Sequence, residues 1–304
     1  MLKHPAASCQ TITPALFSGI FAMRDPQGHK GTFGSVGILG GATGMTGAAL
    51  LAGRSALKSG AGRVYVCLTQ DSPDLSIDIG QPELMLRSVD ETLAMASQIG
   101  AWGVGCGLGQ QDNAIAWLRT LFRVRQNKPM VLDADALNAL ARGDAAPIWG
   151  SGTVILTPHP TEAARLLTTT TDLVQRDRIE SARRLASQYQ AWAVLKGHGT
   201  VVANPEGEFF INPTGSVALA TAGTGDVLTG LIASLMAQGH DIRTAVCAAV
   251  WLHGAAGQWI TTQLGGPVGV TATEIIDAIR RLRNNRDLVD EIHKSTTSID
   301  HHAS

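Results

Sequence analysis

The sequence predicts an α/β fold with a mostly parallel central sheet and helices on both of its faces. Short apolar runs are repeatedly followed by glycine-rich turns and then by helical patterns, and the 304-residue chain contains 34 glycines. Strands that alternate with helices in this way indicate parallel pairing. One further pair of short strands is joined by Asn-Pro-Glu-Gly at 204–207, which is typical of an antiparallel hairpin and makes the sheet mixed.

The first unit sets the pattern for the others. Residues 35–39 predict a buried strand, residues 40–47 a glycine-rich turn, and residues 48–58 an alanine-rich helix. Further strands are predicted at 63–68, 130–132, 154–156 and 193–195, with helices near 136–141 and 162–167 and hairpin strands at 201–203 and 208–211. No change in composition marks a linker. We therefore expect one domain over residues 11–283 and a polar, flexible tail over residues 284–304.

Composition narrows the class of protein. The formal net charge is −1 and the basic residues are scattered, which disfavours nucleic acid and anionic membranes as partners. The N-terminus lacks the apolar core of a signal peptide, and no apolar stretch is long enough to cross a bilayer. The four cysteines lack the spacing of a zinc or redox site and are predicted to be small buried residues. We expect a soluble protein of the reducing cytoplasm.

The most informative stretch is 220–230, in which the turn Gly223-Thr224-Gly225 precedes Asp226. Apolar residues recur at helical spacing after it, so Asp226 is predicted at or near a helix start. The N–H groups of Gly223, Thr224 and Gly225 would point outward with the positive end of the helix dipole and form an anion hole. Asp226 would then contact the reacting group. The alternative is an ordinary Asp cap preceded by a loop.

Two more glycine-rich loops follow apolar runs, at 40–49 and 103–109. Glycine lets the backbone approach a phosphate, a ribose or a flat ligand closely. Tight turning and helix packing would demand the same residues, so both interpretations stay open.

Carboxylates and a histidine follow two of the predicted strands. Asp133 and Asp135 come after 130–132, and if the strand continues that far both carboxylates face one side and suit a hard cation; the alternative is a helix cap. His159 lies between two prolines, which fixes its direction, although a lone histidine is more often structural. Glu162 either caps the next helix or joins Asp133 as a candidate metal ligand.

A cation with flanking glycines follows the last parallel strand. In the segment 196–200, Lys-Gly-His-Gly-Thr, the lysine can reach phosphate oxygens while the backbone stays close and a hydroxyl follows. His253 lies in an alanine-rich helical pattern at 245–256, and we expect it to be a satisfied core histidine.

In their order and separation these motifs resemble the ADP-dependent NAD(P)H-hydrate dehydratases of bacteria, within the ribokinase-like superfamily. The segments that carry the resemblance are 40–49, 103–109, 132–138, 156–162, 196–200 and 212–230. Together they cover nearly all of residues 11–283. The resemblance implies a ribokinase-like three-layer sandwich with helices on both faces of the sheet.

The resemblance also implies an activity and a set of site residues. The activity is that of a hydro-lyase that removes water from (6S)-hydrated NADH or NADPH while ADP becomes AMP and phosphate. Asp226 is implied as the catalytic base. The hydrated cofactor is implied to bind at Ala48, Gly107, His159 and Asp226, and ADP or AMP at Lys196, Gly197, His198, Gly199, Thr200 and Gly225. Mg²⁺ as cofactor, a homotetramer and a separate NAD(P)H-hydrate epimerase as pathway partner are implied as well.

Three positions depart from the family pattern. Ala222 stands where a glycine is usual, Met45 where an aromatic residue is common, and Thr161 where a glycine is common. None of them is a proposed catalytic group. Ala222 would lower the catalytic efficiency if that position needs a positive φ.

Two other functions fit the same residues. A ribokinase-like, ATP-dependent kinase of a small alcohol, such as a vitamin precursor, would use the same Gly-Thr-Gly-Asp turn. The glycine loops at 40–49 and 103–109 favour a cleft for a dinucleotide instead. A nucleotide-binding module without turnover is disfavoured by the presence of Lys196, His159 and Asp226 together.

Overall fold

Ten strands form a single sheet in the computed structural model, which describes residues 9–70, 75–146, 149–150 and 152–300. The strands are β1 Cys9–Thr11, β2 Ser35–Gly40, β3 Arg63–Leu68, β4 Met85–Arg87, β5 Ala101–Val104, β6 Met130–Leu132, β7 Val154–Leu156, β8 Trp192–Leu195, β9 Val201–Ala203 and β10 Phe209–Ile211. Their order across the sheet is β1-β10-β9-β8-β7-β6-β5-β2-β3-β4. The strands predicted from the sequence are all present, most within one residue of the predicted bounds.

The described sheet is parallel except at one strand. β9 pairs antiparallel with β8 and with β10, and the remaining strand pairs are parallel. The predicted hairpin is therefore confirmed as β9–β10. β2 is buried along its whole length, as expected of a central parallel strand that is covered on both faces and consists of small and apolar residues throughout.

Helices cover both faces of the sheet. They are α1 Thr46–Lys58, α2 Val89–Ala94, α3 Asp112–Val124, α4 Ala134–Arg142, α5 Pro160–Leu166, α6 Thr171–Arg176, α7 Arg178–Tyr189, α8 Thr224–Ala237, α9 Ile242–Leu264, α10 Ala272–Arg283 and α11 Arg286–Asp300, with short 3-10 helices at Pro14–Phe21, Ala96–Gln98 and Val217–Leu219. One core joins α1 and α8–α11 to one face, and a second core joins α2–α7 to the other. The three-layer sandwich is thus confirmed.

The strand order determines where the important loops meet. From β2 the chain continues through β3 and β4 on one side, whereas β5 and the later parallel strands lie on the other. In such sheets ligands bind beyond the carboxyl ends of the strands, where the order reverses. The turns after β2, β5, β6, β7 and β8 all lie at this edge, and α8 packs against β2, β5 and β6 beneath it.

The C-terminal segment differs from the expectation of a flexible tail over 284–304. Residues 286–300 form α11, in which Val289, Ile292 and Thr296 are buried at helical spacing against the core. A narrow apolar stripe in a polar sequence is enough to dock a helix. Residues 301–304 lie outside the described residues.

Two further expectations from composition can be compared with the fold. All four cysteines are free; Cys67, Cys106 and Cys247 are buried as predicted, but Cys9 is exposed at the edge strand β1. Within the described ranges, no helix has both the length and the apolar character needed to span a bilayer.

Candidate functional site

Asp226 lies in the first turn of α8, where the sequence predicted it. Gly223 precedes the helix with φ +90°, in the left-handed region, and a Cβ at this position would lie 2.5 Å from Leu51 Cδ1. The left-handed backbone conformation favours glycine, and a Cβ would also require the Leu51 side chain to shift. The turn closes tightly on α1 and presents the first N–H groups of α8 beside the Asp226 carboxylate.

The N-terminus of α8 has the character of an anion site. The first N–H groups of a helix lack partners within the helix and lie at the positive end of its dipole. The N–H of Thr224 has a weak partner, since it lies 3.5 Å from Thr221 O. The Thr224 hydroxyl donates to Leu219 O at 2.7 Å. Its side chain stabilises the turn rather than facing a ligand. Gly225 opens toward Lys196, since a Cβ there would lie 3.3 Å from Lys196 Nζ.

A buried carboxylate holds that lysine in place. Lys196 Nζ donates to Asp133 Oδ1 at 2.7 Å, and Thr229 Oγ1 donates to Asp133 Oδ2 at 3.0 Å. The Asp133 side chain is only 2 % exposed, and that of Lys196 is 21 % exposed. Although burial by itself lowers the pKa of Lys196, the carboxylates of Asp133 and Glu162 raise it above its ordinary value. The lysine is therefore a fixed cation at pH 7.

Asp133 and Asp135 do not extend the strand, contrary to one of the two expectations. β6 ends at Leu132, Asp133 occupies the cap position of α4, and Asp135 lies in the first turn of that helix. Asp135 Oδ2 accepts a hydrogen bond from Gly109 N–H at 3.0 Å. The two carboxylates thus have different tasks: Asp133 holds Lys196, whereas Asp135 fixes the loop after β5.

Three groups that could donate to a metal meet at Asp226. One potential ligand atom each from Cys106, Asp133 and Asp226 lies within 4.8 Å of the others. Burial, with the Asp133 charge added to it, raises the pKa of Asp226 to about 6, although the Cys106 thiol acts in the opposite direction as a hydrogen-bond partner. Burial and the two carboxylates raise the pKa of Cys106 well above its ordinary value, so the thiol stays protonated.

This cluster fits a hard cation poorly. Mg²⁺ takes oxygen ligands, and here one of three groups is a protonated thiol and another, Asp133, already accepts from Lys196 and Thr229. Glu162, the other candidate ligand, is not a member of the cluster. Its Oε2 instead accepts from His159 N–H at 2.9 Å. The described side chains provide no dedicated oxygen cage for Mg²⁺.

His159 and Glu162 form a reciprocal cap at the start of α5. His159 Nδ1 accepts from Thr161 N–H at 3.2 Å and from Glu162 N–H at 3.4 Å, which leaves its proton on Nε2. The ring remains 48 % exposed. Burial, and secondarily the Lys196 cation, lowers the pKa of His159, so it is neutral at pH 7. Burial raises the pKa of Glu162.

The segment after β8 lies beside this cap. Lys196 N–H donates to Pro158 O at 2.9 Å, which joins the two segments. Gly197 and Gly199 have φ of +134° and +61°, and Thr200 Oγ1 closes the turn on Gly197 O at 2.9 Å. Gly197 and His198 are exposed. The turn therefore presents backbone at the surface next to a fixed cation.

The glycine loops after β2 and β5 lie against each other. Ala42 N–H donates to Gly107 O at 2.7 Å, and a Cβ on Gly107 would lie 2.7 Å from Met45 Cβ and 3.3 Å from Ala48 Cβ. Close packing accounts for these glycines without a ligand. The same packing brings together Ala48 and Gly107, two of the residues expected to contact the hydrated cofactor.

Two residues beside the candidate site have the burial that the sequence predicts for them, but the sequence does not reveal how close they lie to Asp226. Cys106 is buried, and its place inside the loop 103–109 is the available signal. His253 is a satisfied histidine as predicted, and its hydrogen-bond partner at 2.9 Å from Nε2 is Thr224 O, in the turn before Asp226. The stretch 212–215 is also held from α9, where Asn212 Nδ2 donates to Val250 O at 3.2 Å.

Comparison with known proteins adds to this geometry. A family described as NAD(P)H-hydrate dehydratase matches residues 36–281. The chain is 45% identical over 278 residues to the ADP-dependent (S)-NAD(P)H-hydrate dehydratase of Neisseria meningitidis serogroup B, with 90% of this chain and 94% of that protein covered. It is 39% identical to the bifunctional NAD(P)H-hydrate repair enzyme Nnr of Moorella thermoacetica, covering 92% of this chain and 55% of the relative. The chain thus spans about half the length of that bifunctional protein.

A solved structure shares the fold over nearly the full length. The ADP/ATP-dependent NAD(P)H-hydrate dehydratase of Bacillus subtilis, co-crystallized with ATP/Mg²⁺, superposes with a TM-score of 0.78 at 32% identity. The match covers 92% of this chain and 98% of that one.

Proposed function

This chain belongs to the NAD(P)H-hydrate dehydratase family, and from that premise we propose how its site restores hydrated NADH and NADPH. The reaction removes water from the hydrated nicotinamide ring with ADP as co-substrate. The observation that supports the proposed mechanism most directly is a partly buried carboxylate, Asp226, directly after a glycine turn that opens toward the fixed cation Lys196.

Asp226 is the proposed general base. The ring hydroxyl is a poor leaving group, because it would depart as hydroxide. Asp226 accepts the hydroxyl proton, the hydroxyl oxygen forms a bond to the terminal phosphorus of ADP, and the P–O bond to AMP breaks. Phosphate then leaves with the electrons of the C–O bond, and the neighbouring ring carbon loses a proton as the C=C bond forms. Hydrate and ADP thus become NAD(P)H, AMP and phosphate.

The anion hole is the second part of the proposal. The N–H groups of Gly223, Thr224 and Gly225 lie at the positive end of α8, and Lys196 lies beside Gly225. Charge that develops on the transferring phosphoryl group would be stabilised there without rearrangement of the protein. Lys196–Thr200 and Gly225 would hold the adenine nucleotide, and Ala48, Gly107 and His159 would hold the hydrated cofactor.

We propose that Mg²⁺ enters with the nucleotide. When bound it would neutralise phosphate charge, and phosphate oxygens and water would supply most of its ligands. Asp133 keeps its structural pair with Lys196 in this view, and Glu162 keeps its cap. Asp226 remains the base.

A direct assay tests the dehydratase activity. Purified protein, enzyme-free NADH hydrate and Mg²⁺ are mixed with ADP, with ATP or without nucleotide, and absorbance is followed at the band of the reduced nicotinamide. A rise that requires ADP, with equal release of AMP and phosphate by phosphorus NMR, is the expected result. A folded protein that binds ADP without any rise would contradict the proposal.

The same assay separates the dehydratase from a small-alcohol kinase. A kinase would leave a stable phosphate ester and release no inorganic phosphate, whereas the proposed reaction releases it. The dehydratase names of the relatives disfavour the kinase. The half-exposed, neutral ring of His159 suits the amide of a nicotinamide ring.

We further propose a cytoplasmic homotetramer that works with a separate NAD(P)H-hydrate epimerase. The bifunctional repair enzymes among the relatives support the coupling of two activities.

A mixture of both hydrate epimers tests the need for an epimerase: consumption of the hydrate should stop near half of the mixture and resume when an epimerase is added. Light scattering of the purified protein would report the oligomeric state, and a monomer at micromolar concentration would contradict the tetramer.

A further inference from the structure

We propose that His253 is a positioning residue that aims the N–H of Gly225 at the phosphoryl group. This inference rests on the anion-binding role proposed above for the turn before Asp226. The histidine belongs to α9, 29 residues away from the turn, and its Nε2 lies 2.9 Å from Thr224 O. It does not need to touch a substrate to act.

α9 is the element that holds both segments leading to Asp226. Thr214 Oγ1 donates to Trp251 O at 2.9 Å, and Asn212 Nδ2 donates to Val250 O at 3.2 Å. Gly254 lets this segment approach, because a Cβ there would lie 2.2 Å from Thr214 Oγ1. One helical turn of α9 therefore fixes the 212–215 segment on one side and the Thr224 carbonyl on the other.

The hydrogen bond between His253 and Thr224 has one possible direction, because its partner is a carbonyl oxygen. Burial lowers the pKa of His253 to about 4, against the opposing effect of its bond to Thr224, so the ring is neutral at pH 7. A carbonyl oxygen can only accept, and a neutral imidazole carries one N–H. His253 thus donates its Nε2–H to Thr224 O.

This bond controls a peptide plane rather than a side chain. The carbonyl of Thr224 and the N–H of Gly225 belong to the same peptide, which is trans like the rest of the described chain. In a trans peptide the C=O and N–H point in opposite directions. When His253 holds the oxygen, the Gly225 N–H is held in the opposite direction, at the N-terminal end of α8. The peptide lies in the first turn of α8, and the histidine adds a contact from α9 to the restraint that the helix supplies.

Three variants test the idea through kinetics. His253→Leu removes the donor, His253→Gln retains an amide donor, and Thr261→Val breaks a different hydrogen bond of α9, the 2.8 Å contact with Ser216 Oγ. We expect His253→Leu to lower kcat by about 10- to 100-fold, as befits a misaligned oxyanion donor, with the KM for the hydrate little changed. His253→Gln should recover most of that loss, and Thr261→Val should behave like the parent.

An amide NMR titration with ADP tests the same geometry without turnover. The Gly225 resonance should shift on ADP binding in the parent and in His253→Gln, and the shift should be lost or greatly reduced in folded His253→Leu. A normal kcat in folded His253→Leu, or an equal loss in Thr261→Val, would overturn the positioning role. If His253→Leu does not fold, His253→Met, which also lacks a donor, takes its place in both measurements. A parent that binds ADP with the Gly225 shift but shows no dehydration would contradict the proposed function alone.

Discussion

Lys196 Nζ lies 2.7 Å from Asp133 Oδ1, and the carboxylate that holds it is 2 % exposed. The pair joins the loops that follow β6 and β8, two strands that are separated in the sheet by β7. A second hydrogen bond, from Thr229 in α8, fixes the other carboxylate oxygen at 3.0 Å. The cation beside Gly225 is therefore positioned by a buried residue whose two carboxylate oxygens each already accept a hydrogen bond.

Removal of the lysine should damage both stability and nucleotide binding. Lys196→Met leaves Asp133 buried without its cation, which we expect to lower the free energy of unfolding by about 3 kcal/mol. The KM for ADP should rise because a phosphate partner is lost. Denaturant unfolding and steady-state kinetics measure the two effects.

A surface ion pair is the matched control. Lys58 and Asp277 form a pair at 2.6 Å in which the side chains are 24 % and 56 % exposed. Lys58→Met should cost below about 1 kcal/mol and leave the KM for ADP unchanged. Equal losses of stability in the two variants would contradict the structural role of the Asp133 pair.

The pH dependence of catalysis should follow Asp226. Its pKa is raised to about 6, and a general base must be deprotonated to act. We expect kcat/KM to rise with pH up to about 6 and to level off above it, falling about tenfold per unit below. A profile that is flat between pH 5 and 7 would argue against Asp226 as the base of the free enzyme.

Asp226→Asn should abolish turnover and yet stabilise the protein near neutral pH. The folded carboxyl has a pKa of about 6 instead of its ordinary value of 3.8, so the folded state binds more protons than the unfolded state between these values. The stability of the parent therefore falls as pH rises through this window. Asparagine does not ionise, so the variant should gain about 2–3 kcal/mol over the parent at pH 7 and almost nothing near pH 4. Unfolding curves at both pH values measure the difference, and a variant less stable than the parent at pH 7 would contradict it.

Local features of the site could be predicted from sequence because they depend on short-range patterns. The helix start at Asp226, the glycine turn before it and the position of His159 before α5 each follow from residue type and spacing within a few positions. The strand-turn-helix order also follows from local hydrophobic runs. These features were found where they were predicted.

Relationships across the sheet could not be obtained in this way. Lys196 and Asp133 are 63 residues apart, and their contact depends on which strands become neighbours. In the sequence, Cys106 looks like an ordinary core residue because a neutral thiol is small and apolar. His253 also looks like a core residue, because its partner is a backbone carbonyl that no side-chain pattern reveals. The polar composition after residue 284 concealed the stripe of Val289 and Ile292.

That stripe gives a prediction for the C-terminal helix. Val289 is fully buried, whereas Asp287 in the same helix is exposed. Val289→Ala should lower the free energy of unfolding by about 2 kcal/mol through lost burial and a small cavity, and Asp287→Ala should change it little. Both variants should keep the parent KM values, because α11 packs on the core away from the carboxyl ends of the strands. If the two variants melt together with the parent, α11 does not dock in solution.

The two glycines of the turn before Asp226 should respond differently to alanine. At Gly223 the φ of +90° strains any residue with a Cβ, and the added methyl group would push Leu51 Cδ1 aside from 2.5 Å, so Gly223→Ala should cost about 1–2 kcal/mol. A Cβ added at Gly225 would have Lys196 Nζ at 3.3 Å and Asp133 Oδ2 at 3.5 Å as its nearest atoms, and the backbone is helical. Gly225→Ala should therefore fold at least as well as the parent, helped by the higher helix propensity of alanine. Its methyl group would stand where the proposed anion approaches the Gly225 N–H, so the KM for ADP should rise while the Tm stays unchanged.

Isothermal titration with ADP and thermal melting of both variants measure the contrast. Unimpaired ADP affinity in Gly225→Ala would remove this glycine from the nucleotide site, whatever the behaviour of Gly223→Ala.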